Sequence, residues 1–376
     1  MTTAAGPAAA PVSPPVTWPD VFAALIARRD LEAAQAEWAM DQIMSGEASP
    51  ARVAGFLMAL RTKGETALEM RGLADRMLAH AHRIEVPGLS LDIVGTGGDR
   101  AHTVNISTMA AMVCAAAGVT VVKHGNRAAS SSSGSADVLE ALGIDLALRV
   151  PQVAEVAGRA GITFCFAQLF HPSFRHAAVA RSELGVGTAF NFLGPLTNPA
   201  QPTYAAVGVA DARMAPLIAG VFAARGKDAA VFRGDDGLDE LTLSTTSTVW
   251  WVRDGAVREL TLDPTLLGLR NSPTEDLRGG DPAHNAAVVR DVFAGREGAV
   301  RDAVVLNAGI ALALTQPLAG RSNGEREGKG LGGGAEDVPG AVRAGMTRAE
   351  AAIDSGAATR LVERWVAATR DVADLS

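Results

Sequence analysis

Along the first 83 residues, apolar and polar positions alternate with a helical period and no strand signal interrupts them. Asp30 stands where it caps a helix carrying Leu31, Ala34, Trp38, Ile43 and Met44, which Gly46 ends. Ser49-Pro50 gives an N-cap followed by proline at the first helical position, leading into Val53, Phe56, Leu57 and Leu60, with Gly64 as the stop. Thr66 starts another helix through Leu68, Leu73, Met77 and Leu78. From Thr17 to about residue 85 the chain therefore reads as a small helical domain.

The pattern changes at Leu91. Short β-branched runs now alternate with helical ones. Leu91–Val94, Val119–Val122, Ile162–Ala167, Ala205–Val209 and Ala229–Phe232 read as strands; Ser107–Ala117, Ala136–Leu142 and Met214–Ala224 read as helices. Such alternation predicts βαβ units, a larger α/β domain and a mainly parallel central sheet. Val249–Arg253 and Ala256–Leu262, joined by Asp254-Gly255, give a hairpin. Ser173–Leu184 interrupts the α/β pattern with a helix, so residues of about 170–200 are expected to complete the helical domain. The α/β domain is then 86–169 with 201–376. Residues 321–340, rich in Gly, Glu and Arg, read as a surface loop longer than such connections usually are, and helices around Arg348–Ser355 and Ala358–Arg370 close the chain.

Composition narrows the partners. The 376 residues carry a formal charge of -7, which argues against nucleic acid or an anionic membrane and confines any phosphate site to a few local basic groups. Both cysteines, Cys114 and Cys165, lie in apolar runs and read as buried thiols. Residues 1–16 are uncharged and rich in Ala and Pro; they read as a disordered tail with no secretory signal, and no stretch approaches a membrane span, so a cytoplasmic protein is expected.

The chemistry concentrates in four places. Gly95-Thr96-Gly97-Gly98-Asp99 follows a strand but fails the dinucleotide spacing, because Arg100 stands where the third glycine belongs. It is either a tight turn or a backbone cradle for phosphate ahead of a helix N-terminus. Asn105-Ile106-Ser107-Thr108 begins that helix, and Ser107 either caps it or binds ligand and metal. The second place is Lys123-His124-Gly125-Asn126-Arg127-Ala128-Ala129-Ser130-Ser131-Ser132-Ser133-Gly134-Ser135. It leaves the same carboxyl edge of the expected sheet, where open α/β folds bind ligands. A serine run is often a linker, yet the Lys, His, Asn and Arg before it suit a phosphorylated sugar better. Third, Gly234–Glu240 holds four acids: Asp235 and Asp236 read as a solvated turn, Asp239 and Glu240 as magnesium ligands. Fourth, His171–His176 leads to Arg181 and then Asn191–Pro199. Arg175 reads as a solvated helix face and Arg181 as a receptor for a carboxylate.

Together the GTGGD loop, the NIST segment, the KHGNR block through Gly143, LGPLTNP at Leu193–Pro199 and GxDGLDE at Gly234–Glu240 resemble the anthranilate phosphoribosyltransferase family, from about Trp18 to the C-terminus. The resemblance implies transfer of a phosphoribosyl group from phosphoribosyl pyrophosphate to anthranilate, two magnesium ions per monomer, and a homodimer joined through its helical parts. Matched residue by residue, Gly95, Asn126 and Arg181 fall on positions that contact anthranilate. Gly95, Gly98, Asp99, Thr103, Asn105, Ile106, Ser107, Thr108, Lys123, His124, Gly125, Asn126, Arg127, Ala128, Ala129, Ser130, Ser131 and Ser135 fall on positions around phosphoribosyl pyrophosphate. Ser107 with Glu240 resembles one magnesium site and Asp239 with Glu240 the other.

The resemblance leaves no general base, since an aromatic amine is uncharged at neutral pH; His124 is expected to orient rather than to accept a proton. The serines are expected to form a moving lid. Gly187 and Phe174 depart from the family's usual proline or bulkier residue and tyrosine, and neither position is expected to touch an assigned one. Two rival readings are a pyrimidine nucleoside phosphorylase, which needs no paired magnesium ligands, and a nucleic-acid-binding relative without activity.

Overall fold

A computed structural model describes residues 15–128, 132–316 and 337–374 of the chain. Four helices open it: α1 (Trp18–Ile26), α2 (Ala33–Met44), α3 (Pro50–Lys63) and α4 (Ala67–Ala79). The expected caps of α3 and α4 are present, with the Ser49 hydroxyl accepting from Arg52 N and Thr66 from Glu69 N. The cap expected at Asp30 is not. Glu32 precedes α2, and Asp30 instead accepts from the buried Lys63 ammonium at 2.7 Å. That ammonium also binds Glu69, whose other oxygen accepts Leu31 N, so one buried carboxylate ties the α1–α2 link to α4.

Seven strands form one sheet in the order β3-β2-β1-β4-β5-β6-β7. β1 (Ser90–Gly95), β2 (Thr120–Gly125), β3 (Ile162–Phe166), β4 (Tyr204–Gly208) and β5 (Asp228–Gly234) run parallel. The hairpin β6 (Ser247–Arg253) and β7 (Ala256–Leu262) adds two antiparallel strands at one edge. Strand β2 extends past the expected Val122, so Lys123 and His124 lie inside the strand rather than on a loop beyond it.

Between strands come α5 (Ile106–Ala116), α6 (Ser135–Ala141), α7 (Val150–Ala160), the short turns α8 (Ala167–Phe170) and α10 (Phe190–Leu193), α9 (Arg175–Leu184) and α11 (Ala215–Ala224). After β7 follow α12 (Pro282–Phe293), α13 (Ala299–Leu314), α14 (Val338–Asp354) and α15 (Ala357–Asp374). Residues 317–336, most of the expected surface loop, lie outside the described residues. Its last positions do not belong to a loop, because Asp337 caps α14 by accepting Gly340 N.

The two sheet faces are buried in different cores. One packs Leu91, Ile93, Val121, Ala206 and Phe232 with α5 and with α13, α14 and α15. The other packs Val207, Val231 and Val252 with α11, with α1 to α4, and with Phe190, Phe192 and Leu196. Residues around 177–196 thus share a core with the N-terminal helices. The architecture is a small helical domain beside a larger α/β domain with a mostly parallel sheet.

Candidate active site

Strand β1 ends at Gly95, and the loop after it meets the acidic pair from the segment after β5. Asp239 Oδ2 accepts Gly97 N–H at 2.6 Å, and Glu240 Oε1 accepts Ser107 N–H at 3.1 Å, in the first turn of α5. The approach is close enough that a Cβ on Gly95 would collide with the Asp239 carboxylate, and one on Gly208 with the Asp239 backbone. Gly97 and Gly98 have φ of 70° and 92°, a left-handed region that favours glycine. Asp239 and Glu240 are buried, 9% and 6% exposed. Burial, with the Asp99 charge added, raises Asp239 to about 7. Burial and the Asp239 charge hold Glu240 well above the usual carboxylate range. Lys123 is the cation beneath them: burial pulls its pKa down while Asp92, Glu240 and Asp239 oppose that shift. Its ammonium donates to the Ile93 carbonyl rather than reaching the surface.

Asp92, at the middle of β1, is fully buried and organises this edge. Its carboxylate accepts His124 N–H at 3.2 Å and Asn198 Nδ2 at 2.9 Å, while the same Asn198 amide donates to the Val122 carbonyl at 2.7 Å. Burial raises Asp92 to about 6, with Lys123 and these donors opposing.

The loop after β2 is pinched at its base. Asp137 Oδ2 accepts both Ala128 N–H and Gly134 N–H at 2.9 Å, and a Cβ on Gly134 would collide with the Ala128 and Arg127 backbone. Arg127 lies over the Phe166 ring and pairs with Glu140 at 2.6 Å and Asp137 at 3.1 Å; those two carboxylates raise its pKa. On the far side, Thr108 donates to the Ser135 hydroxyl at 3.0 Å and Asn105 Nδ2 donates to the Ser133 carbonyl at 3.0 Å.

A second group lies toward the helical domain. The His124 ring meets the Gly194 carbonyl through Nδ1 at 3.0 Å and lies 5.2 Å from the His171 ring. Burial lowers His124 to about 4 and His171 to about 3, so both imidazoles are neutral at physiological pH. From the same segment, Arg181 sits 4.7 Å from the Phe174 ring centroid and 5.5 Å from that of Phe190. Burial lowers its pKa, and among the described residues no carboxylate lies within ion-pair distance of it. A half-buried guanidinium lying over two rings and lacking an acid suits a planar carboxylate from outside the protein.

Residues 88–359 match the model of the glycosyl transferase family, a/b domain, and residues 19–81 that of the glycosyl transferase family, helical bundle domain. The chain is 60% identical over 353 residues to an anthranilate phosphoribosyltransferase of Nocardioides sp., covering 94% of this chain and 99% of that one. It belongs to the anthranilate phosphoribosyltransferase family. A solved member from Thermus thermophilus superposes with a TM-score of 0.82 at 40% identity, covering 93% of this chain and 99% of that one. Another, from Saccharomyces cerevisiae in complex with PRPP and Mg, gives 0.81 at 26% identity, covering 94% and 98%.

Within this phosphoribosyltransferase fold, the expected site residues divide into groups. Gly95, Gly98 and Asp99 on the β1 loop, Asn105 to Thr108, Lys123 and the Asp239-Glu240 pair converge at the carboxyl edge of the sheet. Thr103 is bridged to Arg278 beside them. Asn126 and Ala128 are exposed on the next loop, and Gly125, packed against Phe164, starts it. Ala129, Ser130 and Ser131 lie outside the described residues, and so does the part of the lid reading that falls on those two serines; Ser133 is described and buried.

Two readings of the sequence are revised. Lys123 and His124 are expected on the loop after the strand; they are strand residues instead, Lys123 buried with its ammonium on the Ile93 carbonyl and His124 buried and neutral. Asp235 and Asp236 are exposed on a turn, as expected, and their carboxylates also tie that turn together. Asp236 accepts Leu238 N–H and the Thr242 and Ser244 hydroxyls, and Asp235 accepts the Thr246 and Thr248 hydroxyls. Phe174 does touch an assigned position, because seven residues along a helical segment bring Arg181 back over its ring.

Sequence reasoning passed over Asp137, Asn198 and Asn285. Asp137 had a visible signal, an acid three residues after Gly134 at a helix start. Asn198 stood inside the LGPLTNP segment with nothing to mark its role, and Asn285 had no signal, since the partners that define them lie 106 and 180 residues away.

Proposed function

We propose that this chain transfers the phosphoribosyl group of phosphoribosyl pyrophosphate to the amine of anthranilate, releasing pyrophosphate, as a step of tryptophan biosynthesis. The observation that carries the reading is the convergence of the GTGGD loop, the α5 N-terminus and the Asp239-Glu240 pair on one sheet edge. Family members solved with PRPP and Mg, and with 4-fluoroanthranilate, support it.

The donors suit magnesium. They are oxygens only, and two buried carboxylates with raised pKa values face a single buried ammonium, an excess of negative charge that a divalent cation relieves. Among the described residues no three acidic or histidine side chains close around an ion by themselves, as expected where phosphate oxygens complete the shell. On this reading Ser107 and Glu240 hold one ion and Asp239 and Glu240 a second. When bound, magnesium neutralises the charge developing on the departing pyrophosphate.

The remaining work falls to the chain. The glycine loop and the first turn of α5 offer backbone N–H groups and a favourable dipole to the phosphates. Arg181 holds the anthranilate carboxylate, with Gly95 and Asn126 as the other contacts to that substrate. His124 is neutral and already bonded to Gly194, which fits an orienting group; the amine needs no base to free its lone pair. Rate enhancement then comes from positioning and leaving-group stabilisation.

Among the described residues no helix is long and apolar enough to cross a membrane. We read the enzyme as cytoplasmic. Residues 17–85 and 170–200 are read as one helical domain through which two copies pair. Ile26, Met58 and Val179 are exposed apolar residues on α1, α3 and α9, which favours this reading.

The test is loss of anthranilate fluorescence in the presence of phosphoribosyl pyrophosphate and magnesium. Consumption requiring all three supports the reading. Phosphorolysis of thymidine or uridine in its place would establish the nucleoside phosphorylase reading, and salt-sensitive DNA binding without turnover would establish the non-enzymatic one. Light scattering reports the dimer.

A further inference from the structure

Asn285 lies on α12, outside every motif of the site, and is 2% exposed. Its Oδ1 accepts Gly280 N–H at 2.8 Å, and its Nδ2 donates to Asn105 Oδ1 at 2.9 Å. Asn105 Nδ2 in turn donates to the Ser133 carbonyl at 3.0 Å. The two ends of this relay fix its direction. A backbone N–H only donates and a carbonyl only accepts, so neither amide can turn over without setting like groups face to face. The segment carrying Asn105 is also held through its backbone by the residues just before α12. Val104 N–H donates to Leu277 O, Gly279 N–H donates to His102 O, and Gly279 packs so tightly that a Cβ would lie 2.8 Å from Thr103 O.

We propose that Asn285 is a positioning residue for the phosphoribosyl pyrophosphate site. It sets the amide of Asn105, and through it the start of α5, where Ser107 meets Glu240, together with Ser133 at the far base of the loop after β2. The proposal rests on the phosphoribosyl-transfer reading given above. Asn285 acts through Asn105 and leaves the Arg181 group alone, since none of its bonds reaches the Phe174–Phe190 region.

The test compares Asn285→Ser, which is too short to reach Asn105, with Asn285→Asp, which sets an acceptor against Asn105 Oδ1. Calorimetry with phosphoribosyl pyrophosphate and magnesium alone is expected to show about tenfold weaker binding in both. The KM for that substrate rises by the same factor and the KM for anthranilate stays within about twofold. In a double-mutant cycle, Asn285→Ser adds nothing to Asn105→Ala, because it acts through that residue. Additive losses, parallel shifts for both substrates or unchanged binding would overturn the proposal. Should the aspartate variant not fold, the serine variant and the cycle decide. If the wild-type protein binds phosphoribosyl pyrophosphate but does not consume anthranilate, the transfer reading fails, and the calorimetric arm still judges the relay.

Discussion

Glu240 accepts the backbone N–H of Ser107 at 3.1 Å, so a carboxylate of the chain itself occupies the helix N-terminus where the substrate's phosphates are expected. Its neighbour Asp239 does the same at Gly97. The acids and the substrate thus compete for one set of amides unless a cation joins them. Holding two desolvated carboxylates apart from bulk water costs stability, a cost common at functional sites.

Glu240→Gln separates those two roles. The amide oxygen still accepts from Ser107 while the charge is gone. Turnover at saturating substrates is expected to fall on the order of 100-fold and to lose its magnesium dependence. Because the folded environment disfavours the charged form of Glu240, removing the charge raises the melting temperature. Scanning calorimetry beside an activity titration with magnesium reads both. A variant that melts earlier and still turns over normally would show that Glu240 is a structural residue.

Arg181→Ala removes a guanidinium that stacks on the Phe174 and Phe190 rings. An arginine–carboxylate bond in a partly buried site is worth about 1.5–3 kcal/mol, so the KM for anthranilate rises roughly 10- to 100-fold. The KM for phosphoribosyl pyrophosphate stays near the wild-type value. Arg181→Lys recovers little, since an ammonium cannot make the paired, ring-stacked contact. Steady-state kinetics with each substrate varied in turn is the check, and equal losses for both would remove the carboxylate assignment.

The fold was legible because its signals are local. Strand runs, the Ser49 and Thr66 caps and the Asp254-Gly255 hairpin each announce themselves within a few residues. The extent of β2 was not, because Lys123 and His124 look polar in sequence. They are buried only because Asp92, on the neighbouring strand, lies beneath them and Asn198 closes over the Val122 carbonyl. Helix α13 escaped for the opposite reason: from Ala303 to Leu314 every position is buried, which erases the amphipathic period. Within the site, glycines and acids were visible as types. Which acid faces the substrate and which ties down a turn depended on partners such as Thr242 and Thr248, whose hydroxyls carry no such label.

The histidine pair makes stability depend on pH with a definite sign. Burial lowers His124 to about 4 and His171 to about 3, below the value of about 6.5 both take when unfolded. Between those limits the unfolded chain binds more protons than the folded one, so stability rises with pH from about 4 to about 6.5 and loses this dependence above it. Each histidine adds a slope of up to about 1.4 kcal/mol per pH unit. Denaturant melts of the wild type and of His171→Asn between pH 4 and pH 7 measure it. The variant is expected to show the shallower slope, and identical slopes would mean that His171 already carries its proton when folded.

Asp236 offers the sharpest test of whether the acidic turn works as a unit. One of its oxygens accepts Leu238 N–H, immediately before Asp239; the other accepts the Thr242 hydroxyl at 2.6 Å, two residues beyond Glu240. The carboxylate therefore brackets the proposed metal pair from both sides without joining it. Asp236→Ala strands these donors at an exposed turn, where water replaces part of what is lost, so the fold weakens by only about 1–2 kcal/mol. The effect on the site is larger than that figure suggests, because Asp239 and Glu240 must hold their positions against mutual repulsion. The magnesium concentration giving half-maximal activity is expected to rise several-fold, with the KM for anthranilate unchanged, since the Arg181 group hangs on different elements. Asp236→Asn keeps an acceptor for Leu238 and recovers part of the magnesium response. If magnesium dependence stays at the wild-type value in the alanine variant while stability falls, the turn supports the fold alone and the pair is held from the Gly97 and Ser107 side.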